Sequence, residues 1–386
     1  MQLEFVPVLF VIFFGAAVTS TMALYTRQSL MVAYIILGGL LGPWGFQFIT
    51  EANVVQDIGD AGVIFLLFLL GMHLDPIGML DKLRESAMVA LLSSLLFMSI
   101  GYGICILFDL PMVDSLVIGL SLMFSSTIIS LKLLPSGMIH SSPVSEFMIS
   151  ILLLQDLIAM IALLVVPTLN AGSLDIWPIV LRLGYLPFII IFGFMVERFI
   201  LSKLFDVFER NKEYLFLLAI AWCLSMAELC EVLGLSSEIG AFIAGVSLAS
   251  DSRVSLYLVK ALEPLRDFFL VLFFFSVGAS YNFGMLNSVL YPTAALLVVA
   301  VLFKPYVFRI LMARVGEPID DSWELGFRLG QGSEFSLLLA RISVANGVLG
   351  IEGTSIIQGV AIISFLVSSF WVVRRYATPI GAPEIH

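Results

Sequence analysis

Charged side chains are scarce in this sequence, at 12% of 386 residues, whereas soluble domains carry about 25%. That is too little charge to cover a water-facing globule of this length. Cysteine is nearly absent as well. Cys105, Cys223 and Cys230 sit in apolar runs without metal-ligand spacing and read as small core residues. The formal net charge of −10 leaves no basic surface for nucleic acid, and most acids fall in turns between apolar runs. No basic stretch precedes the first apolar run, from about Phe5 to Leu24, and no small-residue cleavage site follows it. It is therefore read as a retained helix rather than a signal peptide.

Hydrophobic residues fill the space that charge leaves, at 60% of the chain with a mean hydropathy of +1.08. Runs of ~20 apolar residues recur, each long enough to cross a hydrocarbon core as a helix. Punctuated by Gly, Pro and charge, thirteen spans are predicted, near 5–24, 29–46, 54–74, 86–108, 113–134, 144–169, 176–203, 213–232, 237–250, 261–280, 286–315, 321–346 and 353–373. The expected fold class is all-α, a polytopic membrane protein. Loops after odd-numbered spans, with the chain end, collect Lys203, Arg210, Lys212, Lys260, Arg374, Arg375 and other cations, while even loops hold little beyond Arg182. By the positive-inside rule the C-terminus is expected in the cytoplasm and the N-terminus outside.

Three segments repeat at a constant offset of 207 residues: Gly38 falls on Gly245, Gly71 on Gly278 and Gly119 on Gly326. The copies lie an odd number of spans apart, so the second must cross the membrane opposite to the first. Residues 1–170 form one copy of six helices, 213–386 the other, and 171–212 a linker helix. Inverted repeats of this kind suit secondary transporters, which hold substrate near the midplane between copies.

Three ionisable residues fall near the middle of a span: Asp156, Lys304 and Glu334. An isolated carboxylate in hydrocarbon is neutralised by a proton, a nearby cationic side chain or a dehydrated metal ion. Proton and cation then compete for Asp156, and competition is what exchange requires. Lys304 and Glu334 are the expected charge partners, and a static ion-pair network of the three is the plain structural alternative. Gln155 reads either as a cation ligand or as a helix-packing amide. Spans five and twelve are interrupted at matching places, by Ser125, Ser126 and Thr127 and by Gly330, Gln331, Gly332 and Ser333. Unwound turns there would offer carbonyls to a cation and half-helix ends as partial charges, while small-residue helix packing is the competing reading. His73 and Asp75 end the third span, where an interfacial histidine is expected.

The segments GGLLGPWGF, AGVIFLLFLLGMHLD, SSTIISLKLL, LLLQDLIAM, GLSSEIGAFIAGVSLASD, EPLRDFFLVLFFFSVGASYN and GQGSEFSLLLA together resemble the cation/proton antiporter-2 family, from about Ser29 to Val348. The Gln155-Asp156 pair is most similar to the glutathione-gated potassium-efflux branch. His73 departs from the acid common at its position. The resemblance implies thirteen helices with two crossed discontinuous ones, a core domain, a dimerisation domain and a homodimer in the bacterial inner membrane. It implies that Asp156 binds the ion, that Ser125, Ser126 and Thr127 form the crossover, and that Lys304 is the basic partner. The cytoplasmic nucleotide-binding domain typical of that branch is not expected in these residues, which leaves regulation to a separate domain or subunit.

The expected function is exchange of a monovalent cation, K+ before Na+, for H+ by alternating access, one for one, in a transporter rather than an enzyme and without a cofactor. A gated potassium channel on the same scaffold is the runner-up, although no TVGYG-like filter occurs. A non-transporting membrane sensor is the third reading.

Overall fold

The computed structural model describes residues 5–26, 28–49, 53–72, 80–135, 143–166, 176–249 and 252–378. Among them every regular element is a helix. In chain order these are α1 (Phe5–Tyr25), α2 (Leu30–Leu41), α3 (Asn53–Met72), α4 (Leu80–Leu107), α5 (Met112–Met123), α6 (Thr127–Lys132), α7 (Pro143–Val165), α8 (Ile176–Val196) and α9 (Ser202–Val207). There follow α10 (Lys212–Val232), α11 (Ser237–Leu248), α12 (Ser252–Ser280), α13 (Leu286–Val298), α14 (Lys304–Val315), α15 (Ile319–Arg328), α16 (Glu334–Ala345) and α17 (Ile351–Arg375). Helix occupies each of the thirteen expected runs. Among the described residues seven stretches are long and apolar enough to cross a membrane, and Leu30–Leu41 and Ser237–Leu248 are shorter apolar helices. His73 and Asp75 lie outside the described residues. All three cysteines are buried and free.

Two wide π-helical turns, Glu197–Leu201 and Val299–Phe303, join α8 to α9 and α13 to α14. The second has a cause in the sequence: Pro305 has no N–H to return to Val301, and the helix widens just ahead of it. Lys304 follows that turn directly and is fully buried.

The helices group into two compact units that do not follow the repeat boundaries: one from 1–52, 80–170 and 274–386, the other from 53–79 and 171–273. In the second unit α3 and α10 pack on α11. The Trp222 indole N–H reaches the Ala244 carbonyl and the Ser247 hydroxyl, each at 3.3 Å. The first unit holds both interrupted helices.

The 207-residue repeat governs where backbones cross. A Cβ at Gly38 would fall on the carbonyl oxygen of Phe275, and one at Gly245 on that of Phe68, the residue 207 positions before Phe275. Gly71 is seated on the Phe242 carbonyl and Gly278 on that of Ile35, again 207 apart. The third pair behaves alike, with Gly119 on Met98 and Gly326 on Pro305. Each crossing brings backbone against backbone, an approach that only a residue without a side chain permits.

Candidate ion site at the two interrupted helices

Phe124 and Ser126 have extended backbone (φ −79°, ψ 149° and φ −70°, ψ 118°), and they part α5 from α6. Leu329 through Ser333 part α15 from α16, with Ser333 extended (φ −129°, ψ 152°). The breaks correspond: α5 and α15 begin 207 residues apart, and so do α6 and α16. Serine caps each second half. Ser126 Oγ accepts from Ile129 N–H at 3.2 Å, and Ser333 Oγ from Phe335 N–H at 3.1 Å.

Side chains take up the backbone groups that the breaks release. Gln155 on α7 accepts from Ser125 N–H at 3.1 Å and donates to the Met123 carbonyl at 3.3 Å, which is the helix-holding use of its amide. Ser125 Oγ donates to the Leu329 carbonyl at 2.9 Å. On the other break, Ser364 Oγ accepts from Gly332 N–H at 2.8 Å, and Ser368 donates to Gln331 Oε1 at 2.6 Å. Gln331 Nε2 reaches Ser130 Oγ at 2.9 Å, and that hydroxyl donates in turn to the Arg328 carbonyl. All of these polar groups are buried, so the network meets the demand that hydrocarbon places on unwound backbone.

Charge sorts itself by half-helix polarity. Lys304 Nζ donates to the carbonyls of Phe124 at 2.7 Å and Gln331 at 3.1 Å, positions that are themselves 207 apart and that follow the C-terminal ends of α5 and α15. A cation suits those negative dipole ends. Its expected ion pair with Asp156 is not formed: among the described residues no ion pair within 4.0 Å involves Lys304. Among the described residues the ammonium has two hydrogen-bond partners, both backbone oxygens, and it lies 5.4 Å from the Phe97 ring centroid.

Both carboxylates meet the start of α6. Asp156, 2% exposed, accepts from Thr127 Oγ1 at 2.9 Å through Oδ2. Glu334, 6% exposed, accepts from Ile128 N–H at 3.3 Å through Oε1 and is the first residue of α16. The positive ends of the second half-helices therefore collect the acids.

Arg328 has no counterpart in the sequence-based expectations. Its side chain is wholly buried, holds Glu324 through two nitrogens at 2.9 and 2.7 Å, and donates to the carbonyls of Leu133 and Ala377. The signal available was Glu324 four residues before it, the spacing of a helical ion pair.

The model of the family described as "Sodium/hydrogen exchanger, transmembrane" matches residues 9–375. The chain belongs to that family. This exchanger is a multi-pass membrane protein and a cation/proton antiporter, a transporter and not an enzyme. It is 28% identical over 366 residues to the "Iron transporter MagA" of Paramagnetospirillum magneticum, covering 93% of this chain and 83% of the relative. Its fold matches the sodium proton antiporter MjNhaP1 from Methanocaldococcus jannaschii at pH 8, with TM-score 0.73, 16% identity and 94% of each chain covered. An electron-microscopy structure of the same antiporter gives TM-score 0.68 at 15% identity over 96% of each chain. The antiporter-type fold implied by the resemblance is thus present.

Proposed function

We propose that the exchanger trades K+, with Na+ as second cation, for H+ one for one, and that Asp156 holds each in turn. The observation that carries this reading is that, among the described residues, Asp156 forms no ion pair with a cationic side chain. It is buried, its hydrogen bond comes from a neutral hydroxyl, and Lys304 is engaged by two carbonyls. An ionised carboxylate so placed needs a mobile positive partner, and cation and proton are the two on offer. Thr127 orients the carboxylate, while Gln155, Ser125, Ser126, Gly330, Gln331, Gly332 and Ser333 keep the crossover open beside it. K+ over Na+ rests on the Gln155-Asp156 pair and the potassium-efflux resemblance.

On this reading 1–170 and 213–386 are inverted repeats joined by the linker 171–212. The protein works as a homodimer in the bacterial inner membrane with a cytoplasmic C-terminus, under a separate regulatory domain or subunit. Alternating access comes from motion of one bundle against the other.

Proteoliposomes test it. Gradients of K+, Na+ and Li+ are imposed and proton flux is read, with Fe2+, after the cargo in the relative's name, as a further cation. Flux with K+ that Asp156→Asn abolishes is the expected result; no flux with any monovalent cation refutes the proposal. One-for-one exchange also requires a rate insensitive to imposed voltage, since a net charge would couple at about 2.3 kcal/mol per 100 mV.

A further inference from the structure

Glu334 carries an oxygen that no hydrogen bond satisfies among the described residues. Its Oε1 accepts from Ile128 N–H at 3.3 Å, but Oε2 is buried without a hydrogen-bond partner. A buried polar atom left unmade destabilises the fold, and more so if charged, so an orphan beside a transport carboxylate asks for a ligand. The Ser126 hydroxyl and the N–H groups of Thr127, Ile128 and Glu334 itself lie close to this carboxyl. Asp156 is bonded to Thr127 in the same turn and stands near enough for the two carboxyls to act on each other electrostatically.

The repeat shows why this oxygen is unusual. Glu334 occupies the position of Thr127 in the other copy, 207 residues away. In one copy the first residue of the second half-helix offers a hydroxyl that Asp156 uses; in the other it offers a carboxyl with one oxygen to spare. That carboxyl sits at the positive dipole end of α16, a twelve-residue helix. No cationic side chain neutralises it: among the described residues Glu334 forms no ion pair within 4.0 Å.

We propose that Glu334 Oε2 is a second carboxylate ligand of the transported monovalent cation, so that Asp156 and Glu334 hold one cation or share one proton. This rests on the antiport reading above and deepens it. The charges balance: with the cation bound both carboxylates are ionised and the trio sums to minus one; with the cation gone one shared proton restores the same sum. Lys304, held at the opposite half-helix ends, supplies a fixed positive charge in both states. Exchange therefore remains one for one.

The test is Glu334→Gln, which keeps an oxygen for Ile128 N–H and replaces Oε2 with an amide that repels a cation. In proteoliposomes the apparent KM for K+ is expected to rise about tenfold or more, as when a supporting group is lost from an ion site, with a displaced pH profile. Glu334→Asp restores part of the affinity. An independent arm uses wild-type protein labelled with 13C-glutamate. The infrared difference spectrum between K+ and H+ forms should contain a carboxylate band that shifts with the label, and Asp156→Asn should alter that band. A spectrum with no glutamate band, or Glu334→Gln transporting with unchanged KM and pH profile while Asp156→Asn is inactive, overturns this proposal alone. Loss of all cation-coupled flux in the wild type overturns the antiport reading instead.

Discussion

Lys304 donates to the Phe124 carbonyl at 2.7 Å, and its second acceptor, Gln331, is the residue that the repeat places in register with Phe124. One ammonium thus closes the same position in both copies of the motif. Each break would otherwise bury a carbonyl with no donor. Replacing the lysine with an apolar residue of similar length, Lys304→Met, leaves both carbonyls orphaned. A loss of about 1.5–3 kcal/mol is expected, the range for hydrogen bonds to a charged group. Thermal unfolding in detergent reads it, and an unchanged midpoint would remove the structural role given to Lys304.

The glycine crossings predict paired behaviour. Gly38→Ala and Gly245→Ala each drive a Cβ into a carbonyl oxygen, at repeat-related positions. Each should cost about 1–3 kcal/mol through overpacking, and by similar amounts. Gly103→Ala, where a Cβ meets nothing within 4 Å, should be neutral or stabilising. Melting curves of the three variants side by side decide it. Gly103→Ala as damaging as the other two would mean that helix packing at these crossings is not the cause.

Gln155 uses both ends of its amide on backbone, so Gln155→Leu orphans Ser125 N–H and the Met123 carbonyl. We expect a lower melting midpoint, about 1–3 kcal/mol for each group left unmade, together with slower exchange. If the variant melted like the wild type and altered only the apparent KM for K+, the amide would be a cation ligand instead.

Arg328→Leu removes the partner of Glu324, whose side chain is 19% exposed, and two carbonyl contacts. Breaking a buried pair from one side costs about 3–5 kcal/mol. Adding Glu324→Gln should recover part of that loss, because no uncompensated carboxylate then remains. A double-mutant cycle on unfolding free energies checks this, and strict additivity would show that the pair is not coupled.

Much of this architecture can be read from residue order. Apolar runs mark most of the helices, with α15 and its Asp320, Asp321, Glu324 and Arg328 an exception, and the Ser and Gly clusters at 125–127 and 330–333 mark the breaks, which span Phe124–Ser126 and Leu329–Ser333. The direction of Lys304 is not legible in the same way. Carbonyl oxygens have no letter in a sequence, so a buried lysine and a buried aspartate in one chain suggest each other, while the stronger attraction is a pair of helix ends. Arg328 is hidden for a related reason: two of its acceptors, Leu133 and Ala377, are backbone oxygens on distant residues. The interleaving of 53–79 with 171–273 also escapes residue patterns, which record periodicity but not which helix meets which.

The seat of Gly38 on Phe275 has a consequence for biosynthesis. The partner surface of α2 is translated 237 residues later (275 minus 38), so α2 must wait in the bilayer with its glycine face bare while most of the chain is made. Gly38 and Gly71 in the first half meet carbonyls of the second, and Gly245 and Gly278 in the second meet carbonyls of the first. The seat of α2 can therefore close only once α12, which carries Phe275, has been made.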